Sequence, residues 1–168
     1  MTMTRSLSVF AAFILGICAI SGANAQTSSP SLIDQKEARM TNHASGPFEV
    51  KLNPLPAYDQ DDKSSGRMSI DKQFHGDLEA SSRGEMLAYA RLAYVAIEKV
   101  TGTLKGRTGS FILQHTATLI NGKPTLTINV VPTSATGQLT GLEGKMNITV
   151  APDGKHSYEF EYTLPEAQ

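Results

Sequence analysis

From residue 94 to residue 131, apolar and polar residues alternate with a period of two. This predicts three consecutive half-buried antiparallel strands, 94–105, 110–120 and 125–131. Asn121-Gly122 between the last two is the sequence expected of a type I′ hairpin turn, whose two central residues both need positive φ. Gly106 and Gly109 bracket Arg107-Thr108 and predict a comparable two-residue loop between the first two strands. The first loop pairs Leu104 with Phe111, Val100 with His115 and Glu98 with Ala117. The second pairs Ala117 with Leu126, His115 with Ile128 and Leu113 with Val130. Both registers set apolar residues opposite apolar residues, as a buried face requires, since a one-residue slip would reverse every side chain. Two ionisable groups, Glu98 and His115, fall on that face as diagonal neighbours roughly 5–8 Å apart at Cβ.

The same alternation extends in both directions. Phe48, Val50 and Leu52 mark a strand starting at Asn42, which Pro54 and Pro56 end. Residues 58–66 form an acidic loop. A second strand is expected over 67–80, with Met68, Ile70, Phe74 and Leu78 on one side, and Lys72 and Gly76 falling on that apolar side. Residues 84–92 fit a short strand or a helical turn, with strand favoured. A Thr/Gly-rich link over 132–144 holds a weak strand at 138–140. In the last hairpin, Met146, Ile148 and Val150 match Tyr158, Phe160 and Tyr162 only if the loop at Asp153-Gly154 has three residues. Seven or eight such strands predict an all-β antiparallel barrel or sandwich. Closure into a barrel is favoured because it removes exposed edges.

Residues 1–25 break this pattern and read as a secretory signal peptide. Arg5 supplies the charge, 7–20 the apolar core and Ala23-Asn24-Ala25 the cleavage site. The bulky Ile17 before Cys18 argues against a lipid anchor and for soluble export to the periplasm or beyond. Polar residues 26–41 read as a flexible leader, 42–164 as the barrel domain and 165–168 as a tail. The mature chain then has no cysteine, which excludes disulfides and thiol chemistry. Removing Arg5 takes the 15 basic residues to 14 against 16 acidic, a net charge of −2. That is no nucleic-acid footprint, and no basic amphipathic helix points to a membrane surface.

Residues 66–80 (GRMSIDKQFHGDLEA) resemble a bacterial domain-of-unknown-function family, the one numbered thirty-two twenty-four. So do Gly84-Glu85-Met86-Leu87, Tyr94-Val95-Ala96-Ile97-Glu98, Gly102-Thr103-Leu104, and Gly106 to Phe111 with Gln114-His115. The resemblance covers roughly 42–164. Members usually begin near the position of Met40, so the segment ahead of it is a departure, and 87–94 is shorter than in many relatives. The resemblance implies an eight-stranded barrel similar to that of allene oxide cyclase, with an apolar lumen and a tendency to form homo-oligomers. It implies no activity, since none is established for the family.

These readings leave a small set of candidate residues. Glu98 and His115 fit either a catalytic acid/base pair or a buried structural pair. Lys72 fits either a side chain reaching out at a rim or a Schiff-base lysine. Tyr94, Lys72, Phe111, Tyr158 and Phe160 are expected to line a lumenal ligand site, although aromatics on a last strand equally suit a packed core. His75, Asp77 and Glu79 lie at alternate positions, about 7 Å apart on one strand, too far to converge easily on a metal. No metal or other cofactor is expected. Three functions remain: an exported barrel binding a small apolar molecule, a cyclase or isomerase of an apolar intermediate, and a non-catalytic structural or interaction protein.

Overall fold

The computed structural model describes residues 40–165. The segment read as a signal peptide, almost all of that read as a leader and the last residues of the tail lie outside them. Eight strands follow in order: β1 (Asn42–Leu55), β2 (Ser65–Phe74), β3 (Leu78–Tyr89), β4 (Ala93–Leu104), β5 (Arg107–Ile120), β6 (Lys123–Val130), β7 (Glu143–Val150) and β8 (His156–Thr163). Each pairs antiparallel with the next, and β8 pairs with β1 to close the barrel. The expected all-β closed barrel is therefore present.

Three local expectations need correction. The strand expected over 67–80 is two strands, because His75-Gly76-Asp77 turns the chain, with Gly76 at φ +92. A three-residue turn preserves the odd/even phase of the strands it joins, so the alternation reads straight through it. The β4–β5 turn lies at Lys105-Gly106, φ +44 and +83, four register steps from the expected one, and pairs Val100 with Phe111 and Glu98 with Leu113. Gly109 has another role. A Cβ there would stand 2.1 Å from the Thr136 carbonyl oxygen, so glycine lets the following link pass against β5. The weak strand at 138–140 is instead a short 3₁₀ turn, Gly137–Leu139.

Other expectations hold. β5 and β6 pair as Asn121-Gly122 dictates, with His115 opposite Ile128 and Leu113 opposite Val130. Residues 84–89 are strand. Ala151 N–H donates to the Lys155 carbonyl, closing a three-residue loop that sets Met146 opposite Phe160 and Ile148 opposite Tyr158.

The barrel has a closed end and an open end. At the closed end, Leu139 and Leu142 of the β6–β7 link are fully buried, and Arg107 ties that link to the C-terminal stretch through the Gln138 and Pro165 carbonyls. Inside, Phe160 stacks between Phe111 (5.8 Å) and Tyr162 (5.2 Å), while Phe74 meets Tyr158 edge-on at 5.6 Å. The Tyr158 hydroxyl accepts from Leu78 N–H and donates to the His75 carbonyl, pinning the missed turn. Buried in this way, its phenol is pushed up to about 12. One seam is thin: among the described residues, β6 and β7 pair only at Asn129 and Lys145.

A buried polar cluster beneath an apolar cup

Lumenal positions follow the pleat, so every second residue of each strand points inward. Halfway along the lumen these positions bring together Lys72 of β2, Ser82 of β3, Glu98 of β4 and His115 of β5, all four buried. Lys72 Nζ donates to Glu98 Oε2 at 2.7 Å, and the Ser82 hydroxyl donates to Oε1. His115 Nε2 lies 2.9 Å from Oε2, but its direction is too poor for a hydrogen bond and leaves that nitrogen buried without one. The Lys72 ammonium also sits over the Phe48 and Phe74 rings, 5.3 and 5.6 Å from their centres, a cation–π arrangement.

Burial pushes the Glu98 carboxyl upward. The His115 ring, the Lys72 charge and the hydrogen bonds from Lys72 and Ser82 pull it down harder, to about 2. Of these partners, Lys72 and Ser82 have hydrogen-bonding geometry and His115 acts by proximity. The group is anionic at neutral pH. Its depressed value means that stability is fully present above the unfolded carboxyl value near 4.5 and is lost as pH falls towards about 2. Urea unfolding of the wild type is therefore expected to lose about 3 kcal/mol between those limits through this group alone. A Glu98→Gln variant should show a correspondingly flatter acid limb. An equally steep limb in that variant would assign the acid sensitivity to other carboxylates.

Above the cluster, towards the open end, lies an apolar cup of about 470 Å³. Met68, Met86, Ala88, Tyr94, Ala117 and Leu126 line it from five strands, β2 to β6. Ile70 and Ala96, both buried, separate cup from cluster along β2 and β4. Along β5 nothing intervenes, since Ala117 lines the cup and His115 is the next inward residue. Tyr94 joins the two regions. Its phenol is pushed up by burial and then by the negative charge of Glu98. Other concavities, at Thr41/Asn129/Lys145, at His43/Ser45/Asp77 and on the outer wall beside the Arg67–Glu85 ion pair, have no buried charged group in their linings.

The structure thus separates the expected ligand residues. Tyr94 lines the cup, Lys72 is locked to Glu98 beneath it, and Phe111, Tyr158 and Phe160 pack in the closed half. Glu98 and His115 do meet. Ser82 escaped the sequence reading because the β2–β3 turn did. With that turn placed, the pairing of Lys72 with Ser82 follows. His75 contacts Glu49 and Glu79 at 3.1 and 3.5 Å, while Asp77 turns to the Ser45 amide and Lys105. Among the described residues no group of three or more His, Cys, Asp or Glu is placed to hold a metal.

Residues 44–162 match the family described as "Protein of unknown function (DUF3224)". No curated protein matches the chain. Among solved structures, the chain is similar to a DUF3224-family protein of unknown function from Shewanella oneidensis MR-1. The two are 44% identical with a TM-score of 0.68, over 76% of this chain and all of the other. With the family match spanning most of its length and its own eight-stranded barrel in agreement, this chain belongs to the DUF3224 family.

Proposed function

We propose that this is an exported binding protein that takes an apolar small molecule into the cup at the open end of its barrel. The observation that carries this reading is the contrast between the two halves of the lumen. Aromatic side chains fill the closed half, whereas the other half is a half-open apolar hollow with one phenol and, beneath it, a charge-compensated floor. An apolar concavity with a few convergent polar groups is the usual make-up of a ligand site.

The same geometry supports binding over catalysis. A carboxylate held near 2 and already bonded to Lys72 and Ser82 is a weak proton acceptor at neutral pH. The cluster reads better as a rigid, neutralised floor than as an acid/base pair. Native mass spectrometry of the mature protein, followed by denaturing extraction, should reveal a co-purifying apolar compound. In parallel, an apolar fluorescent probe should bind the wild type, and Ala88→Phe, which fills the cup from its rim, should weaken that binding about tenfold, near 1.4 kcal/mol. Unchanged probe affinity in the variant would remove the cup from the argument.

A further inference from the structure

The two hairpin tips that overhang the cup carry large exposed apolar side chains, as the outer wall does at Leu87, Val95 and Ile97, but only the tips adjoin the cup. Tyr89-Ala90-Arg91-Leu92 joins β3 to β4, and Leu119 to Pro124 spans the β5–β6 tip. Tyr89, Leu92, Leu119 and Ile120 are exposed by 46, 51, 40 and 61%, the exposure of a surface residue on side chains that belong in a core. The tips are not loose. Ala90, Arg91, Asn121 and Gly122 hold positive φ in two tight turns, and Leu119 N–H donates to the Leu92 carbonyl at 2.7 Å, joining one tip to the other.

Charge completes the pattern. The charged residues on these tips are Arg91 and Lys123, both basic. The neighbouring acidic loop, with Asp59, Asp61, Asp62 and Lys63, is hydrogen-bonded to the first tip through Ala90 and Ser64, and two of its carboxylates, still charged, are held by amides of the loop itself. Asp59 accepts from the amides of Asp61 and Asp62, and Asp62 from that of Ser64. A rigid apolar platform with one cation on each tip, the carboxylates being confined to the loop beside it, matches the interface of an anionic lipid bilayer, where apolar side chains enter the headgroup boundary and Lys or Arg meets lipid charge. The platform is also continuous with the cup, since Leu92, Leu119 and Arg91 belong to both.

We infer that the tips dock the open end of the barrel onto an anionic membrane surface, so that an apolar ligand passes between bilayer and cup without crossing water. The mode differs from the basic amphipathic helix that the sequence lacks. It rests on the cup being a ligand site, and the test keeps the two apart. Full-length mature protein is sedimented with phosphatidylcholine vesicles and with vesicles containing phosphatidylglycerol, while probe binding is measured in vesicle-free solution.

Sedimentation is expected with the anionic vesicles, falling about tenfold in Ile120→Glu and in Lys123→Glu. Neither residue lines the cup, so probe binding in solution should be unchanged. Tyr89→Glu, on the other tip, gives an independent second variant should one of these fail to fold. Absence of sedimentation with intact probe binding would overturn the docking while leaving the cup. Sedimentation that ignores all three substitutions would also overturn it. So would a concentration-dependent dimer abolished by the same substitutions, which would assign the platform to a second copy of this chain. Loss of probe binding in the wild type would instead remove the cup.

Discussion

Replacing Lys72 by Met is expected to lower the unfolding free energy by about 3–5 kcal/mol, the cost of leaving a buried charge without its partner. Lys72 and Glu98 have side chains 6% and 0% exposed, so water cannot replace either group for the other. Glu98→Leu should cost a similar amount, because it strands the ammonium between the Phe48 and Phe74 rings. The double variant should recover most of the loss, since a buried ion pair replaced by apolar groups of similar volume is often neutral or better. Ser82 would still lack its acceptor, leaving a residual penalty of about 1 kcal/mol. Urea denaturation of the four proteins closes the cycle. Single-variant losses under 1 kcal/mol would mean that the pair is hydrated in solution.

Phe160→Ala is expected to cost about 3–5 kcal/mol, the transfer free energy of the ring plus the cavity it leaves. The ring is 1% exposed and stacked on both sides, by Phe111 and Tyr162, so neighbouring strands cannot easily collapse onto the gap. Met86→Ala offers the contrast. Met86 lines a space that is already open, so its loss should cost under about 1.5 kcal/mol while changing probe binding in the cup. Thermal denaturation of both variants measures the difference directly. Equal losses at the two sites would mean that the cup is packed in solution like the closed half.

Much of this barrel was legible because the phase of alternation survives errors of register. The β4–β5 pairing was misplaced by four residues, an even number, so inward residues stayed inward and Glu98 remained diagonal to His115. Asn121-Gly122 was read correctly because few dipeptides suit two consecutive positive φ values. Lys105-Gly106 was missed because lysine does not announce such a conformation. The split between closed and open halves was not legible at all. It depends on Leu139 and Leu142 folding back from a link with no periodic signal, and on hairpins that outreach their neighbours. Phe111, Tyr158 and Phe160 share the alternation of Tyr94, and only their height along the lumen separates packing from lining.

The thin seam between β6 and β7 has a consequence for how this barrel moves. Seven of its eight strand boundaries carry ladders of seven or more residue pairs, which must break together for the wall to open there. At the eighth, a single residue pair bridges the two edges, so the wall can part there at little cost in broken pairing. β6 also supplies Leu126 to the cup. Fluctuations along this one line would widen the hollow sideways while the aromatic stack stays fixed, so the volume of the cup is set by the seam and not by the packed half.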